Sequence, residues 1–310
     1  MPNLRVLLSL VLACLLITSA LPAQELPPEL PPQQPPPLTN EDEIMDLVAQ
    51  LNDLSRHITA RRKALVRERP HDLALAQLKL EKAQITLSTP WRTVESEAAL
   101  IDDLRTSLDI WNALLENEPL ELRKHGKLER AYLAPNDLSP QPYILYVPED
   151  YDGTEEWGLL VFLHGYASTL NKANWGQMMY TDAMGELAEM TNCILLMPFA
   201  RSNTDFQGVG EDDVLLAMER VQADYEIDAD RVFLSGISMG GMGAWSIGAH
   251  YPDRFAALAV LAGRSDFYIW KDIERGSLPQ WKRKLVRGEF GAELIPNYRH
   301  LPSVLVHGTA

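Results

Sequence analysis

The chain has 310 residues, of which 46% are hydrophobic, and carries a formal net charge of −15 at pH 7. That length and composition suffice for one large α/β domain with a smaller appendage, so we expect a globular protein. An acidic surface repels nucleic acid and anionic lipid, so the charge argues against both as partners.

Residues 1–23 have the pattern of a secretory signal peptide. Arg5 is followed by the apolar run Val6–Thr18 and then by the small-residue segment Ser19–Ala23. The run is shorter than the roughly 20 residues of a membrane-spanning helix. We therefore expect an exported protein, periplasmic or extracellular, with no integral span in the mature chain. A retained anchor and lipidation at Cys14 are the alternatives.

Residues 24–38, QELPPELPPQQPPPL, are dominated by proline. Proline at this density prevents helix formation and favours an extended, semi-rigid chain. We interpret the segment as a linker, with a proline-motif ligand for a partner domain as the alternative.

Residues 39–126 have the apolar periodicity of helices. Spacings of three and four residues predict one helix from Asn40 to Pro70, a second from about Asp72 to Leu87, and a third from Val94 to Leu115. Three such helices with short breaks suggest a small antiparallel bundle or a coiled-coil hairpin. No catalytic cluster occurs here, so we expect a packing or interaction module that binds a protein partner or self-associates through residues 41–117.

From residue 127 onward the pattern changes to strands. Alternating apolar residues predict a strand pair at 127–134 and 142–151. Continuous apolar runs separated by helical segments are typical of a largely parallel sheet that is buried on both faces. We therefore predict a doubly wound α/β domain over residues 127–310. Its buried strands are Trp157–Gly165, Cys193–Ala200, Arg231–Ser238 and Phe255–Gly263.

A G-x-S-x-G sequence centred on Ser238 lies between a predicted buried strand and a predicted helix. In a nucleophile elbow the turn is so tight that the residues two before and two after the serine must be small, as Gly236 and Gly240 are. The hydroxyl then projects at a helix N-terminus, where the helix dipole favours negative charge. The pattern predicts that Ser238 is a nucleophile, with a simple small-residue turn as the alternative.

The sequence LHGY, Leu163–Tyr166, ends the preceding predicted strand. Hydrolases with such an elbow build half of their oxyanion hole at this position. We predict that the backbone amides of Tyr166 and Met239 form the hole, and that His164 and Gly165 support the loop rather than transfer protons. No His, Asp or Cys cluster has metal-ligand spacing, so we expect neither metal nor cofactor.

These motifs resemble the α/β-hydrolase superfamily. The most similar families are secreted esterases of the polyhydroxybutyrate depolymerase and feruloyl esterase kind, and the prolyl-oligopeptidase catalytic domain. The resemblance covers residues 128–310 and implies a serine hydrolase that cleaves carboxylic esters through an acyl-enzyme on Ser238. A serine peptidase is one alternative, and a non-catalytic binding protein with a degenerate hydrolase domain is another. The resemblance rests on PYILYVPEDYD, LLVFLHGYAS, DRVFLSGISMGGMGAW and YPDRFAALAVLAG.

The chain departs from the family pattern in its last part. The family order is serine, then an acid, then a histidine, and none of the seven histidines matches the catalytic one. We expect the acid and the histidine to lie beyond residue 310, so that this chain is C-terminally truncated and inactive. Asp266 is the one local acid at a position that such families occasionally use, with a loop cap as the alternative.

Overall fold

The computed structural model describes residues 40–89, 93–120 and 122–308. The predicted signal peptide and linker, residues 1–38, lie outside this part of the chain. Within it, no helix has both the length and the apolar character needed to cross a membrane.

Three helices form the N-terminal region, close to where the sequence predicts them. The second begins at Pro70 rather than Asp72, because a proline, which has no backbone N–H, fits the first position of a helix. The third begins with a capping box in which Thr93 and Ser96 each bond the other's backbone amide. The bounds are Glu41–Glu68 for α1, Pro70–Ser88 for α2 and Val94–Glu116 for α3.

A single seven-stranded sheet forms the rest of the fold, in the order β1-β2-β4-β3-β5-β6-β7. The first two strands are antiparallel to each other, and β2 is antiparallel to β4. All other neighbours are parallel. The strands are Gly126–Leu133, Pro140–Val147, Trp157–Leu163, Cys193–Pro198, Ile227–Ile237, Ala257–Leu261 and Ser303–Val306.

Helices cover both faces of the sheet, and the side chains of β3 alternate between the two layers. Leu159 and Leu163 belong to one hydrophobic core, whereas Leu160 and Phe162 belong to the other. This mostly parallel, two-faced sheet confirms the predicted fold class. The covering helices are α4 (Trp175–Met179), α5 (Asp182–Thr191), α6 (Val209–Asp224), α7 (Met239–His250), α8 (Phe267–Lys271) and α9 (Gln280–Glu289).

The N-terminal helices share their hydrophobic core with the first strand of the sheet. Ala131 is buried in the helical core, and Leu133 packs against it. The helices therefore lie directly on the sheet edge formed by β1. The domain boundary at residue 126 stays a prediction.

Four charged side chains join the helices to β1. Lys79 Nζ lies 2.8 Å from Asp103 Oδ1 and 2.7 Å from Glu129 Oε2. Lys82 Nζ lies 2.8 Å from Glu129 Oε1 and 3.5 Å from Asp103 Oδ1. Burial opposes the ionisation of Glu129, but Lys82 and Lys79 outweigh it and lower its pKa to about 2. We call these four residues the dock cluster.

Replacing Glu129 by Gln would leave two lysines with one carboxylate in a partly buried place. Because removing one member of such a network leaves charge uncompensated, we expect the free energy of unfolding to fall by about 3 kcal/mol at pH 7. The measurement is urea unfolding followed by circular dichroism.

Glu43→Gln is the matched control, because Glu43 pairs with Arg105 where both side chains are well exposed. We expect a loss below about 1 kcal/mol from it. The folded-state pKa of Glu129 is lowered, so its contribution is present above the unfolded value of about 4.3 and is lost as the pH falls toward 2. A Glu129→Gln deficit that did not shrink with acid would contradict this account.

Candidate active site

Ser238 occupies the single position between the end of β5 and the start of α7. Its backbone has φ 56° and ψ −113°, a conformation that residues with a side chain rarely adopt. The Ser238 amide donates to the carbonyl of Leu261 at the end of β6, at 2.9 Å. Its side chain is exposed. The fold thus presents a strained serine at the carboxyl edge of the sheet.

Close backbone approaches explain the glycines on either side of Ser238. A Cβ atom at Gly236 would overlap the carbonyl oxygen of Gly240, and a Cβ atom at Gly240 would overlap the carbonyl oxygen of Leu163. The turn therefore excludes side chains at both positions where the elbow pattern places glycine.

A further glycine contact was not apparent from the sequence. A Cβ atom at Gly241 would lie 2.7 Å from the Cα atom of Gly263, which follows β6. The first turn of α7 therefore packs backbone to backbone against the segment after β6. The only indication of this contact in the sequence was Gly263, the glycine that ends a predicted strand.

The two predicted oxyanion donors lie at the same edge as the Ser238 hydroxyl. Met239 is the first residue of α7, and the first amides of a helix have no partner inside it. The loop after β3 runs past the serine, since a Cβ atom at Gly165 would lie 3.9 Å from Ser238 Cβ. Tyr166 follows on this loop, and its side chain is 64% exposed. The structure thus places Gly165 beside Ser238, with Tyr166 next to Gly165 on the loop and Met239 next to Ser238 in the chain.

His164 is buried beneath this loop rather than aimed at the serine. Its Nδ1 lies 2.9 Å from the carbonyl oxygen of Gly165, and its Nε2 lies 3.1 Å from that of Phe199. Burial lowers the pKa of His164. The ring is therefore neutral at pH 7 and donates to one of these two carbonyl oxygens at a time.

The loop after β4 also holds the loop after β3. Asn203 Nδ2 donates to the carbonyl of Ala167 at 2.8 Å, and Ser202 Oγ donates to that of Leu170 at 3.2 Å. The sequence analysis did not identify Asn203. A polar run directly after a buried strand was the available signal.

Asp266 caps a short helix. Its Oδ1 accepts the amides of Tyr268 at 2.8 Å and Ile269 at 3.2 Å, at the start of α8. Its Oδ2 pairs with Arg275 at 2.5 Å. Both carboxylate oxygens are thus engaged within the loop, and this geometry favours the cap over a role in orienting a base.

None of the seven histidines, all of which lie within the described segments, is hydrogen-bonded to Ser238. His250 is held between Glu211 at 2.7 Å and the carbonyl oxygen of Gly288 at 2.5 Å. His125 contacts the carbonyl of Tyr151. Across residues 40–89, 93–120 and 122–308, no three His, Cys, Asp or Glu side chains are grouped to hold a metal ion.

A parallel sheet with a strained serine between strand and helix is the architecture that the sequence motifs predict. A family model described as "Putative esterase" matches residues 217–309. The chain has the α/β-hydrolase fold. The resemblance inferred from the elbow and the LHGY loop is confirmed at this level.

Two curated relatives are fungal proteins named "Probable feruloyl esterase C". The one from Aspergillus terreus is 25% identical over 167 residues, which is 53% of this chain and 62% of the relative. The one from Aspergillus clavatus is 25% identical over 155 residues, 49% of this chain and 56% of the relative. The chain thus spans about three fifths of the length of these relatives.

Among solved structures, a fluorophosphonate-binding serine hydrolase of Staphylococcus aureus is similar to the chain at 17% identity. The match covers 60% of this chain and 80% of the hydrolase chain, with a TM-score of 0.45.

Gly240→Ala tests the contact between the elbow and β3. The added methyl group meets the Leu163 backbone, which cannot rotate away as a side chain can, so we expect a loss of at least about 2 kcal/mol in unfolding free energy. Gly288→Ala in α9 is the control, because a Cβ atom there meets nothing within 4 Å. Thermal unfolding measures both, and equal midpoints for the two variants would refute the contact.

Proposed function

We propose that the protein is a serine hydrolase that cleaves carboxylic esters, with Ser238 as its nucleophile. One observation carries the proposal: Ser238, an exposed non-glycine residue, has φ 56° at the junction of a buried strand and a helix. Backbone strain of this kind persists only where the surroundings enforce it, and it concentrates at active sites. The similarity to relatives named feruloyl esterases supports esters as the substrate class.

In the proposed reaction, Ser238 Oγ attacks the carbonyl carbon of the ester. The carbonyl oxygen then carries the negative charge of the tetrahedral intermediate. The backbone amides of Met239 and Tyr166 donate hydrogen bonds to that oxygen, and the N-terminal end of α7 adds a partial positive charge. Donors fixed in the backbone need little reorganisation as the charge develops, which lowers the barrier.

The proton of Ser238 passes to a general base and then to the leaving alcohol, which departs as the acyl-enzyme forms. Water attacks the acyl-enzyme by the reverse transfer and releases the carboxylic acid and the free serine. A serine hydroxyl is a weak nucleophile without such a base. In the described part of the chain no side chain is hydrogen-bonded to Ser238 Oγ.

The substrate that the proposal implies is a small-molecule ester. On the pattern of residues 1–23, we also propose that the protein acts outside the cytoplasm.

Labelling with a fluorophosphonate probe, located by mass spectrometry, tests the assignment of Ser238. We expect the probe to modify Ser238 in the full-length protein with its general base, and we expect this labelling to be lost in Ser238→Ala. Ser235→Ala is the matched control, because that serine lies in the same segment but is fully buried, with a hydroxyl that finds no partner among the described residues. Labelling that survives Ser238→Ala, or that Ser235→Ala abolishes without unfolding, would contradict the proposal.

Hydrolysis assays test the substrate class. We expect the full-length protein with its general base to cleave p-nitrophenyl acetate, and Ser238→Ala to lose at least about 10³-fold in kcat/KM, as removal of a catalytic serine does elsewhere. Cleavage of a proline-containing p-nitroanilide without ester cleavage would reassign the protein as a peptidase. Neither labelling nor cleavage of either substrate would favour a non-catalytic binding protein.

A further inference from the structure

The segment of residues 165–175, here called the oxyanion loop, carries the Tyr166 amide between β3 and α4. Its two ends are held in the core. His164 is buried at the first end, and Trp175, whose side chain is fully buried, closes the second. The rings of these two residues lie 6.3 Å apart. Between these ends, Asn203 and Ser202 hold Ala167 and Leu170 from the loop after β4. The turn that follows is the part of the loop that contacts the helices.

Two asparagines make the middle of the loop a rigid turn. Asn171 Oδ1 accepts the amides of Ala173 at 2.9 Å and Asn174 at 3.2 Å. In return, Asn174 Oδ1 accepts the amide of Asn171 at 2.9 Å, and Asn174 Nδ2 donates to the carbonyl of Thr169 at 2.9 Å. Lys172 lies inside this turn, so a contact that restrains its side chain also restrains the loop.

Lys172 connects the turn to two other elements. Its Nζ donates to Glu81 Oε2 on α2 at 2.6 Å and to the carbonyl oxygen of Pro140 on β2 at 2.7 Å. The Lys172 side chain is only 16% exposed, so water screens this pair less than it screens a surface pair. It is the one hydrogen bond joining α1, α2 or α3 to the oxyanion loop among the residues that the structure describes.

Glu81 is itself fixed in place by its neighbours on α2. Lys79 and Lys82 belong to the dock cluster and pair with Glu129 on β1. The helix therefore cannot shift along the sheet without breaking those contacts. Glu81 is thus a fixed anchor for Lys172.

Packing gives the loop little support on the side that faces the helices. A cleft of about 430 Å³ lies there, lined by Ile85 and Thr86 on α2 and by Asn171, Asn174 and Gln177 on the loop side. Neither Lys172 nor Glu81 lines this cleft, so their pair holds the loop beside the cleft rather than across it.

We propose that Lys172 and Glu81 are positioning residues, through which the N-terminal helices hold the Tyr166 amide against Ser238. The inference rests on the proposed function of Ser238. It gives the N-terminal helices a role in the reaction without placing any of their residues at the site.

The test compares Glu81→Gln, Lys172→Met and the double variant with wild type, all as the full-length protein. We expect the first-order rate constant for fluorophosphonate modification of Ser238 to fall about two- to fivefold in each single variant, with the probe's binding constant unchanged. The double variant should be no slower than Lys172→Met, because both substitutions remove the same link. Lys172→Arg, which keeps the charge, should retain most of the rate.

Hydrogen exchange of the amides in residues 166–173 is the second readout, and it does not depend on catalysis. We expect faster exchange in Glu81→Gln and Lys172→Met. Glu43→Gln, which removes the exposed pair with Arg105 on the same helices, should change neither the exchange nor the rate. This control separates loss of the link from loss of any surface charge.

The inference alone would be overturned by variants that react as fast as wild type, or by slower reaction that only follows a lower unfolding midpoint. Unchanged exchange in residues 166–173 would overturn it as well. A wild-type protein that the probe does not modify at Ser238 would instead remove the proposed function, and the inference with it.

Discussion

The approach of Gly240 to the carbonyl of Leu163 is the contact on which the rest of the site depends. It brings the first turn of α7 onto the end of β3, at a spacing that only a backbone without side chains allows. The same contact places the loop after β3 beside Ser238. The positions of the proposed nucleophile and of both proposed oxyanion donors thus depend on this one backbone contact. Their relative positions are set by main-chain packing, which is stiffer than any arrangement of side chains.

The surroundings of Ser238 and the edge formed by β1 differ in the charge of their buried side chains. Beneath the loop beside Ser238, His164 is buried, and burial lowers its pKa. At the edge formed by β1, full charges are drawn into the contact between helices and strand. Ion pairs of that kind add little net stability over an apolar contact, but they penalise any other register of the helices on the sheet. An exact register is what the link through Glu81 requires.

The sequence predicted those structural features that depend on residues close together in the chain. The apolar periods predict the helices and buried strands, and Gly236 and Gly240 identify the elbow because each lies two residues from Ser238. The sequence did not predict contacts between residues that are far apart in the chain. Nothing near Glu129 indicates that it pairs with lysines some 50 residues earlier, and nothing near Lys172 points to Glu81. Asp266 shows the same limit, because its partner Arg275 engages the carboxylate only once the intervening turn has folded.

The parallel pairing of β3 with β5 also constrains how the protein folds. Leu163 pairs with Gly236 across more than seventy residues of chain. Contacts this distant form late, because a long loop must close before they contribute, whereas α1–α3 depend mainly on neighbours close in sequence. The unfavourable backbone angles of Ser238 can be held only after β3, β5 and β6 have all docked. The serine therefore acquires its exposed, strained geometry in one of the last steps of folding, and a partly folded chain carries an ordinary serine at this position.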